Sequence, residues 1–349
     1  MTRIPRAEPR SRYAVPRFPL AVAFLAALLF AAAGHGAAQS AGGAFHVYLV
    51  VWRGETDVEH GFRAHMYERG IPVRYTLRNA DRNRARLPEF AAEIRAEKPD
   101  LVHTFGTSVA LGIFGPHTGA EPGMHIGDIP GVFSIVSYPV QDKIVKEFEA
   151  PGRPLTGSIF LTPISTQLDT ILAYRPIGTL GVIYNPLERN SVTNVDQLRT
   201  ETGDRDIKLL EYPVPLNAEG RPDATRLDEL VDDLVRSGAE FLYMGPDSFI
   251  TVHSLQVSER AAQQGIPSFA AVEASFERSR AMLGLVSRYY LIGKLAGAQA
   301  ERILVGGEPP QEIPVASLAR FAILLRMPVA LQLGIYPPMG LLRVAQVVE

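Results

Sequence analysis

The chain has 349 residues, 35 Lys and Arg against 37 Asp and Glu, a formal net charge of −2 and no cysteine. A thiol nucleophile and a disulfide are thereby excluded, and no basic block is present to track a phosphate backbone, so nucleic acid is not an expected partner.

The first 38 residues read as an export signal. Arg3, Arg6, Arg10, Arg12 and Arg17 make a basic start, and Leu20 to Ala33 an apolar run of 14 residues. A membrane-spanning helix needs about 20. Small residues at Gly36-Ala37-Ala38 suit a signal peptidase, so cleavage is expected after Ala38. Its loss removes five arginines and one acid, Glu8, and takes the net charge from −2 to −6. Without cysteine the lipid-anchored form of such a signal is excluded, and a soluble periplasmic chain is expected. The part that remains, 39–349, is long enough for two ordinary domains.

From there short β-rich runs alternate with amphipathic helices, the pattern of parallel sheets covered on both faces. Strands are expected at Phe45 to Val51, Ile71 to Leu77, Leu101 to Phe105 and Gly131 to Val136. Trp52-Arg53-Gly54-Glu55, after the first, offers an aromatic surface and a charge. Phe105-Gly106-Thr107-Ser108, after the third, opens a helix. Its glycine lets backbone approach a ligand, and its hydroxyls donate or accept. Tyr138, after the fourth, is placed to stack on a flat ligand. A cap role for Thr107 and Ser108, and plain packing for Trp52 and Tyr138, are the alternatives. His117, Glu121, His125 and Asp128 form the one metal-like cluster. Their spacing matches no known motif, and a flexible surface loop is the simpler reading, so no metal is expected.

The Pro/Gly-rich stretch 150–157 reads as a crossover into a second series of strands: Ser158 to Leu161, Leu180 to Tyr184, Ile207 to Val214, Glu240 to Met244, Ile266 to Ala270 and Met282 to Val286. In this half the turn Tyr184-Asn185-Pro186-Leu187-Glu188-Arg189-Asn190-Ser191 leads from a strand into a helix. A helix start leaves about four N–H groups unpaired and attracts anions, and Asn190 and Ser191 are good cap residues. A helix with Leu227, Leu230, Val231, Leu234 and Val235 on one face follows, capped by Asp223 and stopped by Gly238. In Gly245-Pro246-Asp247-Ser248, Asp247 is positioned to pair with a ligand ammonium or to cap the next helix. Glu273 is a further acid at a strand end, or a solvated carboxylate. A helix over Tyr289 to Val305 ends at Gly306-Gly307, and a last one spans Pro328 to Leu333.

This adds up to an α/β chain of two Rossmann-like lobes with parallel sheets joined by a hinge. Residues 43–156 with 278–316 form the first lobe, and 157–277 with 317–345 the second. Open α/β sheets bind ligands beyond the carboxyl ends of their strands, so a cleft between the lobes is expected. Phosphate loops, dinucleotide fingerprints, nucleophile elbows and zinc-protease motifs are all missing, so neither a cofactor nor an enzyme is expected.

The residues also resemble a family. Lys98-Pro99-Asp100-Leu101 leading to Gly106-Thr107, Pro151-Gly152 followed by Leu155-Thr156-Gly157, and Tyr184-Asn185-Pro186 followed by Asn190-Ser191 are part of the match. It continues through Asp247, Ile266-Pro267, Gly306-Gly307-Glu308-Pro309-Pro310, Ile313-Pro314-Val315, Leu333-Gly334 and Pro337. In order and spacing these are similar to the ABC-transporter substrate-binding proteins of the type I periplasmic binding fold, in the family with tryptophan- and tyrosine-binding members. The resemblance implies two lobes joined by three crossovers, closing on a small ligand for delivery to a membrane permease. On matching positions it implies Thr107, Asn190, Ser191 and Asp247 as ligand contacts. Two departures lie in the first lobe: Ser137-Tyr138-Pro139, where the family often has aspartate before the proline, and a longer loop from His117 to Asp128.

The resulting expectation is a monomeric, non-catalytic binding protein for a small zwitterionic, amino-acid-like ligand. Asn190 and Ser191 would hold the anionic end, with Asp247 and the first lobe reading the other. Ser248, Glu273, Trp52, Gly106, Ser108 and Tyr138 complete the expected contacts. An exported receptor feeding a sensor kinase, with the same cleft, is the alternative.

Overall fold

The computed structural model describes residues 43–349, so the expected export signal lies outside the described residues. Its first sheet has five parallel strands, β1 (Phe45–Val51), β2 (Val73–Asn79), β3 (Leu101–Phe105), β4 (Gly131–Val136) and β5 (Leu155–Ile159), in the order β2-β1-β3-β4-β5. The second sheet comprises β6 (Thr179–Tyr184), β7 (Lys208–Pro213), β8 (Phe241–Met244), β9 (Ser268–Ala270), β10 (Leu283–Val286), β11 (Ala322–Arg326) and β12 (Gln346–Val348). Its order is β12-β11-β10-β9-β8-β6-β7, and β10 with β11 is its antiparallel pair. Helices cover both faces, which is why β1 can run as Val47 to Val51 with every side chain fully buried.

The chain passes between the sheets three times, after β5, after β10 and before β11. After β10 the helix Tyr289–Leu304 returns to the first lobe, where it lies along the helix Asp57–Glu68 and against β4 and β5. Gly61 and Gly293 make that crossing close. A Cβ at Gly61 would lie 2.0 Å from the Tyr290 carbonyl oxygen, and one at Gly293 2.0 Å from that of Val58. Apolar packing is continuous between the lobes: Phe105, Ile135 and Phe160 of the first share a cluster with Val182, Tyr243 and Phe269 of the second.

The strand pairing departs from the expected lobe division in two places. β5 begins at Leu155 and straddles the boundary set at 156, because Thr156-Gly157 is strand and not turn. Gly157 is needed there, since a Cβ would sit 2.3 Å from the Phe133 carbonyl oxygen on β4. β10 pairs with β9 and β11, so it belongs to the second sheet although the boundary at 278 assigned it to the first lobe. β11 and β12 were not anticipated. β11 has two fully buried residues and β12 is a three-residue edge strand, too short to show a period.

Candidate functional site

The carboxyl ends of the strands from both lobes meet around a cavity of about 50 Å³. The first lobe contributes Trp52 and Arg53 after β1, Phe105 to Ser108 after β3, Ile135 and Ser137 at the end of β4, and Phe160 after β5. The second contributes Glu188 and Asn190 after β6, Pro246 to Ser248 and Thr251 after β8, and Val272 after β9; Tyr289 lines it from the third segment.

On the first-lobe wall the helix Thr107–Phe114 starts at Gly106, whose φ of 90° only glycine adopts readily, and no side chain among the described residues caps it. Gly106 is fixed by its N–H donating to the Ser134 carbonyl at 2.8 Å. The first N–H groups of that helix therefore open toward the cavity with the positive end of the helix dipole behind them. Arg53 adds a full charge. Its guanidinium lies 5.4 Å from the Phe105 ring centre, and its buried Nε has no hydrogen-bond partner among the described residues. Ile135 sits in the left-handed region, at φ 56°, where β4 changes register. For a β-branched residue this conformation costs on the order of 1–3 kcal/mol, a strain typical of binding sites.

The opposite wall is acidic. Glu188 is 7% exposed and Asp247 3%, and neither forms an ion pair with Lys, Arg or His among the described residues. Glu188 accepts from Ser248 N and Oγ, each at 2.9 Å, and from Asn190 Nδ2 at 3.1 Å. Burial first, and then the charge of Asp247, push its carboxyl up to about 7. Asp247 caps the helix Ser248–Val252 through Ile250 N at 2.8 Å, and accepts from Asn185 N and Ser191 Oγ, each at 2.6 Å. Burial raises its carboxyl too, against these hydrogen bonds.

The lobes also touch beside the cavity. Asn194 Nδ2 in the second lobe donates to Tyr138 Oη in the first at 2.8 Å, and Arg189 Nε faces the fully buried Asp142 Oδ1 at 3.1 Å.

Of the residues singled out in the sequence, Trp52, Gly106, Thr107, Ser108, Asn190, Asp247 and Ser248 line the cavity. Three do not. Ser191 lies behind the lining, donating its hydroxyl to Asp247 at 2.6 Å. Tyr138 is turned to Asn194 instead of a ligand. Glu273 is occupied by Arg288 Nη1 at 2.7 Å and Tyr289 N at 2.5 Å, so it secures the second crossover. Nor are Asn190 and Ser191 caps: the helix runs Arg189–Gly203 with Glu188 at its N-cap, and they lie in its first turn. Asn190 Nδ2 donates to the Pro246 carbonyl at 2.6 Å. Glu188 is not marked out by the sequence, and Arg53 only as part of the stretch Trp52-Arg53-Gly54-Glu55. One reads as an ordinary turn acid and the other as a surface charge until burial is known. Ser137, at the departure from the family pattern, lines the cavity. His125 Nδ1 accepts from Glu121 N at 3.0 Å, while His117 turns to the Lys143 carbonyl, so these two imidazoles serve separate loop contacts.

A model of the family described as ABC transporter substrate binding protein matches residues 54–349. The chain is 25% identical over 260 residues to a tyrosine-binding protein of Clostridioides difficile (strain R20291), covering 74% of this chain and 70% of that one. A conserved domain protein from Vibrio cholerae superposes with a TM-score of 0.76 at 23% identity, over 88% of this chain and 100% of the other. An ABC domain from Streptococcus pneumoniae in complex with L-Trp does so with 0.73 at 20% identity, over 86% and 100%. The two α/β lobes are those of type I periplasmic binding proteins. With the family model spanning both lobes, the chain belongs to the ABC transporter substrate-binding protein family.

Proposed function

We propose that this chain is the periplasmic substrate-binding component of an ABC importer and captures an amino-acid-like zwitterion by hinge closure. One observation carries the reading: the cleft is positive on one wall and acidic on the other. Arg53 and the open start of the helix Thr107–Phe114 suit a carboxylate, and the buried Glu188 beside Asp247 suits an ammonium. The anionic end is thus assigned to the first lobe and not to Asn190 and Ser191, whose helix start faces two carboxylates, while Asp247 keeps the ammonium end expected of it. A ligand that spans both walls gains contacts in the closed state alone, which is what drives closure. The relatives' ligands, tyrosine by name and L-Trp by complex, support an amino acid.

The reading is tested by calorimetry on residues 39–349 with L-tyrosine and L-tryptophan and, for each, the amine without its carboxyl and the acid without its amine. The zwitterions are expected to bind at least about tenfold tighter than either single-ended analogue, roughly 1.4 kcal/mol. An amine or acid that binds equally well would remove one wall from the site. Hinge closure has its own check. Tyr138→Phe deletes the hydroxyl that meets Asn194 across the lobes, and is expected to weaken binding about fivefold, roughly 1 kcal/mol, by faster dissociation. An unchanged dissociation rate would mean that this contact has no part in closure.

A further inference from the structure

We infer that the ligand carries, beyond its zwitterionic head, a second anionic group on an apolar stem, lodged in an arginine-lined chamber at the mouth of the cleft. This rests on the amino-acid reading above and extends it outward. The inner cavity, about 50 Å³, has room for a head group and little else. A chamber of about 530 Å³ adjoins it, sharing Trp52, Ser108, Glu188 and Ser248. Those shared residues make one path, and a stem leaving the inner cavity enters the chamber.

The chamber has an apolar part and a cationic part. Leu187, Phe249 and Val252 supply the first, and Arg82, Arg84 and Arg221 the second. Among the described residues none of the three guanidiniums is paired with a carboxylate. Arg84 donates to Ser108 Oγ at 3.0 Å, and Asp81, the acid next to Arg82, is held by Arg86. Glu188 lies on the boundary, but Ser248 and Asn190 engage its oxygens. Three guanidiniums thus share the chamber with one carboxylate. The imidazole of His253 is held below its ordinary value by burial and then by Arg82, and Arg82 is itself depressed by burial and then by Arg53 and Arg278.

Two further observations point to an anion. Arg82 and Arg84 come from the first lobe and Arg221 from the second, so closure gathers like charges, which is unfavourable until an anion lies between them. Guanidinium forks bind carboxylate and phosphate in pairs of hydrogen bonds. The turn that presents Arg82 is also strained: Asp81 and Arg82 have φ of 50° and 58°, consecutive non-glycine residues in the left-handed region. It is pinned by Arg82 N donating to the Trp52 carbonyl at 2.8 Å and by Asn79 Oδ1, which accepts from Gly54 N and Asp81 N. Strain held in this way at a cleft mouth fixes a side chain where a ligand needs it.

The test uses residues 39–349 and matched probes: 4-carboxy-L-phenylalanine against L-phenylalanine, and O-phospho-L-tyrosine against L-tyrosine. At least one anionic member is expected to bind tenfold or more tighter than its neutral partner, the carboxylate or the phosphate arm identifying the group. That advantage should shrink as salt is raised. Arg82→Gln with Arg221→Gln is expected to bring the ratio close to one. Arg221→Gln alone, on an exposed loop, should lower it without a folding defect. Equal affinities in both pairs would overturn this inference and leave the amino-acid reading standing. Binding by no member of either pair would overturn both. A ratio that persists in the double variant would overturn the assignment to this chamber.

Discussion

Glu188→Gln is expected to weaken ligand binding at least about thirtyfold at pH 8 while leaving the ligand-free protein no less stable. The two halves of this result have one cause. Glu188 is buried with no cationic partner among the described residues, next to a second buried acid, and its carboxyl is pushed up to about 7. A ligand ammonium would supply the missing charge. Removing one member of a buried charge pair costs about 2–5 kcal/mol, and about 2 kcal/mol is thirtyfold in affinity. For stability the sign runs the other way. Between the ordinary glutamate value of 4.5 and about 7 the folded protein holds a proton that the unfolded chain has released, so stability falls as pH rises through that window. The native protein should therefore lose stability between about pH 4.5 and 7, and the glutamine variant should lose less. Ligand binding should release a proton near neutrality, visible as a calorimetric heat that depends on the buffer. Unchanged affinity would remove Glu188 from the ligand. Affinity and thermal midpoint falling together would make it a structural acid, bonded to Ser248 and Asn190 for the sake of the loop.

Gly293→Ala is expected to destabilise the protein by about 3 kcal/mol or more, although it adds only one methyl group. The ordinary effect of alanine in a helix is stabilising by roughly 1 kcal/mol relative to glycine. Here the added carbon would lie 2.0 Å from the Val58 carbonyl oxygen, and backbone cannot turn aside as a side chain can. The helices Asp57–Glu68 and Tyr289–Leu304 would have to move apart along a contact that also depends on Gly61. Urea unfolding of residues 39–349 measures the loss, and a loss below about 1 kcal/mol would show that the crossing can relax. Binding should suffer as well, because Tyr289 lines the cavity at the start of the same helix and its N–H is held by Glu273 beside the second crossover.

The cleft was partly legible in the sequence for reasons that lie in local chemistry. Gly106-Thr107-Ser108 announces itself because glycine, then hydroxyls, then an apolar helix occur within a few residues, and the structure puts all three on the cavity. The turn at Glu188 to Ser191 was read as the start of a helix, which it is, but with the wrong residue emphasised. Asn190 and Ser191 have the chemistry of caps, yet the cap position belongs to Glu188 because the helix begins one residue before Asn190. Asp247 could be a cap or a ligand contact by sequence. It is a cap by its bond to Ile250 N, and it lines the cavity as well. Tyr138 and Glu273 follow strand ends as ligand residues should, but the direction of a side chain depends on what packs behind it. Behind these two are Asn194 and Arg288.

The order of residues alone set the alternation of parallel strands and helices, since strands buried on both faces must be written as continuous apolar runs between amphipathic helices. It also determined that two sheets share the chain, through the number of those runs. Tertiary structure alone decided that β10 stays in the second sheet, because its partner β11 arrives only after the chain has passed through the first lobe again, and it decided which charges meet in the cleft. Arg53 and Glu188 are separated by more than a hundred residues. They reach opposite walls of one cavity only because the lobes place one beside an open helix start and bury the other beside a second acid.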